Sequence, residues 1–189
     1  MMEMDQSITW RGLEERLDRT TNPRHRKMLE TVIAHAKAET EGDVEGLMAT
    51  LGNDPQYHFW SSGKDWGPKG LLQVRKFYED FVTSAAGFFE SDKVRVVVDD
   101  ENVVTESVMK GIVPGVIAQQ RGCNVPDVNG HYIVHARTAI FWPFDEDCVL
   151  LGEDSYGSSD VTDFEQVPND ELPTEYVRML DAVGVTAAR

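Results

Sequence analysis

The chain has 189 residues, 41% of them hydrophobic and 27% charged, with a formal charge of −15. That length suits one domain around a single core, and eight Phe, five Tyr and four Trp belong to a globular protein rather than a disordered or collagenous one. The negative charge repels phosphate backbones and anionic lipid, so no nucleic-acid or membrane partner is expected.

No apolar run approaches the roughly 18 residues of a membrane span, and the charged N-terminal stretch lacks the apolar run of a signal peptide, which makes a cytoplasmic protein the expectation. In residues 1–22, read as an N-terminal helical extension, Trp10, Leu13 and Leu17 share one helical face. Asn22-Pro23 then caps and opens a helix whose Met28, Leu29, Val32, Ile33 and Ala36 repeat at helical spacing until Gly42. Asp43 caps a second short helix carrying Val44, Leu47, Met48 and Leu51, which Asn53-Asp54-Pro55 breaks. Tyr57 to Trp60 reads as a short strand, Ser61 to Gly70 as a loop, and Leu71, Val74, Tyr78, Phe81 and Val82 as the face of a third helix.

Beyond Gly87 the period becomes extended. Lys93 to Asp99 and Val103 to Lys110 form a predicted hairpin, Gly111 to Asn129 a long connection, and His131 to Trp142 with Cys148 to Tyr156 a second hairpin. The remainder, 158–189, is an acidic tail with a short helix over Tyr176 to Val183, closed by Gly184. Cys123, in a predicted loop, and Cys148, in a predicted strand, have no zinc-like spacing and read as free thiols. His131 and His135 are four apart in a strand, about 13 Å, too far to share a metal, so no metal site is expected.

Helices first and an antiparallel sheet afterwards define an α+β class. The element order resembles the nuclear transport factor 2-like superfamily, SnoaL-like type, over about residues 23–157. Ala38-Glu39-Thr40-Glu41-Gly42-Asp43-Val44-Glu45-Gly46-Leu47 is similar to its A-x-x-x-G-D-x-x-x-L junction, and Gly70 to Phe77 to its G-x-x-x-[I/V]-x-x-F helix. The resemblance implies a cone-shaped barrel, a curved antiparallel sheet wrapped around the N-terminal helices, with a buried pocket for a small apolar or aromatic ligand. It also implies a homodimer. Members of this fold include ketosteroid isomerases, polyketide cyclases, scytalone dehydratases, epoxide hydrolases and non-catalytic proteins, so activity has to be argued from the site.

Carried over residue by residue, the ketosteroid-isomerase type puts His35 where a phenolic donor stands; alternatively His35 sits at the helix edge and pairs with Glu39. The same type places an aspartate base at the end of the first strand, where this chain has His58-Phe59-Trp60, so His58 replaces the base or faces solvent. The epoxide-hydrolase type puts an arginine and two aspartates at Ser107, Met109 and Asp154, of which only Asp154 matches. Arg137 shares a face with His135 on the neighbouring strand and is expected to pair with Asp154, in the site or as a structural ion pair.

The candidate catalytic residues are therefore His35, His58, Arg137 and Asp154. The candidate pocket residues are Trp60, Trp66, Tyr78, Phe81, Ser107, Met109, His135 and Tyr156. The function expected is that of a lyase or dehydratase, cyclase or isomerase without a cofactor. It would use general acid–base catalysis on a small hydroxylated aromatic, polyketide, terpenoid or steroid-like substrate. The alternative is a non-catalytic small-molecule-binding or dimerisation module.

Overall fold

A computed structural model describes residues 2–61, 63–120, 123–158 and 165–184. Helix α1 (Ile8–Asp18) is followed by α2 (Pro23–Glu41), whose start is fixed by the Asn22 side chain accepting from the N–H groups of Arg24 and His25. Gly42, at φ +69°, ends it in the left-handed conformation, and Asp43 caps α3 (Val44–Ala49) by accepting from Gly46 N–H. The Gly-Asp junction thus works as its residue types require.

Strand β1 spans Leu51–Ser61, much longer than the four-residue strand expected, because Asn53-Asp54-Pro55 lies within its irregular first half rather than in a turn. A two-residue β2 (Lys64–Asp65) folds back on it inside the predicted loop. Then come α4 (Gly70–Thr83), β3 (Phe89–Val98), β4 (Asn102–Pro114), α5 (Gly115–Gln120), β5 (His131–Pro143), β6 (Leu150–Ser158), β7 (Glu165–Val167) and α6 (Thr174–Ala182). Both hairpins are present, the first with longer strands than expected and the second with its last strand shifted by two residues, while the predicted 111–129 connection gives its start to β4 and then to α5. Cys148 lies before β6 rather than in a strand, at φ +61°, in the turn closed by Asp145. Part of the predicted acidic tail, 159–164, lies outside the described residues.

The strand order is β2-β1-β6-β5-β4-β3, with β7 added to β5, and among the described residues only β1 and β6 run parallel. The sheet is curved and unclosed, with the long helices on its inner face. Leu13 of α1 and Met28, Leu29 and Val32 of α2 are fully buried against Val103, Trp142 and Leu150 of the sheet. Helix α1 lies across β3, tied there by the Thr9 hydroxyl, which accepts from Ser91 N–H, and by Gln6, which donates to the carbonyls of Gly87 and Phe89. At the other end, Tyr176 and Leu180 of α6 close a second core cluster with Phe88, Ile112 and Ile133. No helix among the described residues is long and apolar enough to cross a membrane.

Candidate functional site

A cavity of about 310 Å³ lies between the helices and the inner face of the sheet. Alternation of side chains along each strand decides what reaches it. From β3 come Phe89, Ser91 and Lys93, from β4 Thr105 and Met109, and from β5 Thr138, Ile140 and Trp142. Helix α1 supplies Thr9 and Leu13, α2 supplies Val32, Ala36 and Glu39, and β6 supplies Glu153 and Ser155. The wall is therefore apolar with three ionisable groups: Glu39, Lys93 and Glu153.

Their electrostatics follow from where they sit. Burial pushes the Glu39 carboxyl up to about 7, with the Lys93 charge pulling it back down. Burial pushes Glu153 up to about 8, assisted by the negative charges of Glu39 and Asp154. Burial lowers Lys93 to about 8, against the opposing pull of Glu39 and Asp92. All three keep some accessible surface, and it faces the cavity.

Two irregularities aim these groups. The ladder between β3 and β4 shifts between Lys93 and Arg95, so Lys93 turns inward while Val94 and Arg95 are exposed. In β6, Leu150 is buried in the core and Glu153 lines the cavity, three residues apart, which an unbroken strand cannot arrange. Gly152 resets the alternation: its φ is +148°, and a Cβ there would lie 1.9 Å from the Gln56 carbonyl oxygen.

That reset overturns the orientation expected for Asp154. Asp154 stands on the outer face, opposite His58 in the β1–β6 ladder, with His58 Nε2 3.9 Å from its Oδ1. His58 also faces outward: its Nδ1 lies 2.7 Å from Asp65 Oδ2 and 3.0 Å from Lys69 Nζ, and its ring stacks on Trp60. Asp65 is held well below the usual carboxylate range by Lys69 and by the Gly67 N–H. Arg137 does not meet Asp154, because the register pairs Asp154 with Phe141 and Arg137 with Ser158; its guanidinium binds Glu106 at 2.5 Å on the outer face.

His35 is buried behind the cavity wall rather than in it, and it does not pair with Glu39. Thr50 donates its hydroxyl hydrogen to Leu47 O, so it accepts from His35 Nδ1–H at 2.7 Å. His35 Nε2 then accepts from the Tyr78 hydroxyl at 2.8 Å, and Tyr78 accepts from the Tyr57 hydroxyl at 2.7 Å. Each hydrogen in this chain has one acceptor when His35 is neutral, and burial lowers its pKa to about 3, which keeps it so.

Of the expected pocket residues, Phe81 and Met109 line the cavity. Ser107 shares the inner face of β4, directly across from Lys93, but is buried. Tyr78 is buried in the tyrosine–histidine chain, His135 is exposed on the outer side, and Trp66 is 67% exposed on the β2 turn beneath the Lys64 ammonium. Trp60 and Tyr156 stack at 6.5 Å in a second, open groove of about 740 Å³ on the outer sheet face, lined also by Arg95, Val97, Arg137 and Phe141. The outward placements on β1 and β6 share one cause, a parity that β6 resets at Gly152 and that β1 follows by pairing with it, whereas His135 faces outward by the unbroken alternation of β5.

Sequence reasoning passed over all three ionisable cavity groups. Glu39 carried a signal, since Val32, Ala36 and Glu39 fall at i, i+4 and i+7 on one face of α2. Among the described residues no cluster of His, Cys, Asp and Glu is arranged to hold a metal.

No protein-family model matches the sequence, and no curated protein matches it. Solved structures do match. The chain is similar to the epoxide hydrolase/cyclase-like enzyme SalBIII, described for pyran ring formation in the polyether salinomycin, at TM-score 0.53 and 14% identity over 75% of this chain and 97% of that one. An NTF2-like protein of unknown function from Burkholderia pseudomallei matches at TM-score 0.53 and 15% identity, over 81% of this chain and 96% of its own. A putative polyketide cyclase from Xanthomonas campestris matches at TM-score 0.50 and 17% identity, over 70% and 91% respectively. The chain has the nuclear transport factor 2-like fold.

Proposed function

We propose that the chain is an acid–base enzyme of the cyclase type, needing no organic cofactor, that isomerises a small, largely apolar, hydroxylated molecule inside the cavity. The observation that carries this reading is the meeting of Glu39, Lys93 and Glu153 in an apolar space of about 310 Å³, with both carboxyl pKa values raised to near neutrality. Between pH 7 and 8 such a pair holds about one proton, which supplies an acid and a base together. The Lys93 charge favours the ionised form of Glu39, while the charges of Glu39 and Asp154 favour the protonated form of Glu153.

Glu39 is accordingly the base that takes a proton from an attacking substrate hydroxyl, and Glu153 the acid that gives one to the oxygen leaving carbon in an epoxide ring opening. The substrate gains and loses one proton, so the reaction is an isomerisation, and the two carboxyls exchange a proton to reset. Fold similarity to SalBIII and to the putative polyketide cyclase supports ring closure over the other reactions of this chemistry, elimination of water and double-bond shift. The exposed Trp60, Val97, Phe141 and Tyr156 on the outer sheet face support a homodimer formed through that face.

The test is turnover of a panel of aryl-substituted hydroxy-epoxides to their cyclic ethers, followed by chromatography. Glu39→Gln and Glu153→Gln each lower the rate by about two orders of magnitude or more, whereas Arg137→Gln, on the outer face and paired there with Glu106, leaves it within about threefold. Equal rates in wild type and both glutamine variants would overturn the reading.

A further inference from the structure

Lys93 has a second property that the acid–base reading does not use. Its Nζ donates to the Ser91 carbonyl at 2.9 Å and to the Ser91 hydroxyl at 3.1 Å, and among the described residues no carboxylate oxygen lies within 4.0 Å of it. Glu39 is near enough to act on it through space, yet does not form an ion pair with it. An ammonium whose neighbours are carbonyl, hydroxyl and apolar wall loses hydration without gaining a counter-ion in contact.

The stem is fixed as well. Gly12 of α1 passes directly over it, so close that a Cβ at Gly12 would lie 2.7 Å from Lys93 Cβ and 3.3 Å from Cγ. Helix and strand together hold the base of the stem, and the amine sits on the cavity wall beside Ser91, with Ser107 opposite on β4. A lysine serving only as counter-charge would be expected to reach one of the two glutamates.

We propose that Lys93 is a nucleophilic amine that forms an iminium with a ketone or aldehyde held in the cavity. The inference rests on the same cavity as the acid–base reading and names a carbonyl group as a feature of its substrate. The neutral amine attacks the carbonyl carbon, making a C–N bond, and the carbonyl oxygen takes a proton from a glutamic acid. Loss of the nitrogen's extra proton to a carboxylate gives a neutral carbinolamine. A second proton delivered to its hydroxyl lets water leave, so the sum is amine, carbonyl compound and one proton giving iminium and water. The iminium draws electrons from the adjacent C–H, which Glu39 or Glu153 then deprotonates to an enamine, the carbon nucleophile of an aldol-type ring closure. Burial, which lowers Lys93 to about 8, leaves about a quarter of the amine neutral at pH 7.5, where an exposed lysine has about a thousandth. The volume of about 310 Å³, equal to about ten waters of the liquid, admits a compact aryl-alkyl ketone.

The full chain is incubated at pH 7.5 with 4-phenylbutan-2-one, and separately with 3-phenylpropanal, in the presence of cyanoborohydride, a hydride donor that reduces an iminium to a stable secondary amine. Intact mass and peptide mapping then locate the adduct. The expected result is an adduct on Lys93 formed at least about tenfold faster than on any other lysine, the α-amino group, whose ordinary pKa is about 8, being mapped separately. It is lost in Lys93→Met and in Lys93→Arg, the second of which keeps the charge, with folding checked by circular dichroism. Adducts spread evenly over the lysines, or none on Lys93 with either probe, would overturn the proposal. Absence of the adduct alongside turnover that depends on Glu39 and Glu153 removes this inference alone. A Lys93 adduct alongside turnover indifferent to both glutamates removes the acid–base reading and leaves this one standing.

Discussion

Glu153→Gln separates burial of a carboxyl from every other feature of the fold, because glutamine has the same shape and does not ionise. The Glu153 pKa moves from 4.5 in the unfolded chain to about 8 in the folded one. Between those values the folded state holds a proton that the unfolded state has released, so wild-type stability falls as pH rises. The contribution is intact below about pH 4.5 and fully lost above about pH 8. At about 1.4 kcal/mol per unit, the full shift sets a ceiling of about 5 kcal/mol. Water entering the cavity and relaxation of Glu39 reduce this to about 2–3 kcal/mol. Urea unfolding at pH 5.5 and pH 8.5 measures about two thirds of it, because the lower pH already lies about one unit above 4.5: the stability of the variant relative to wild type rises by about 1.5–2 kcal/mol between them. Taking the difference between the two proteins cancels the pH dependence of the groups that do not interact with Glu153, leaving Glu153 and its coupling to Glu39 and Asp154. A variant and wild type that lose stability in parallel from pH 5.5 to 8.5 would show that Glu153 is solvated and would sink the electrostatic account of the site.

Two further substitutions probe the elements that aim the site. Gly152→Ala forces a methyl group to within 1.9 Å of Gln56 O at a φ of +148°, costing about 3 kcal/mol or more; an unchanged urea midpoint would mean that β6 reaches the cavity without this irregularity. Tyr78→Phe leaves His35 Nε2 and the Tyr57 hydroxyl without their partner and costs about 1–3 kcal/mol. The nitrogen chemical shifts of His35 check the second claim independently, since the chain of donors requires a neutral ring protonated on Nδ1 in the wild type.

The secondary elements were legible because their signals are local. Asn22-Pro23 and Gly42-Asp43 bracket α2 through caps that need only neighbouring backbone, and the β-branched hairpins declared themselves by period. Their extents were not legible, since β1 takes in Asn53-Asp54-Pro55 and β4 runs to Pro114, lengths set by the strands they pair with. His35 shows the same division at one residue: its place on the inner side of α2 follows from spacing, but whether it meets the cavity or a tyrosine depends on α4, which is contributed from elsewhere in the chain.

Local signals along the chain specify helices before the sheet, an acidic surface and the Gly-Asp joint from which α2 and α3 diverge. Which carboxylates face inward is set by long-range strand pairing. A strand has two faces and one residue of slip exchanges them. The slip at Gly152 depends on the close approach of the Gln56 carbonyl from β1, and the slip after Lys93 on the β4 ladder. Neither contact is local in sequence, and together they put Glu153 and Lys93 beside Glu39 while turning Asp154 and His58 outward.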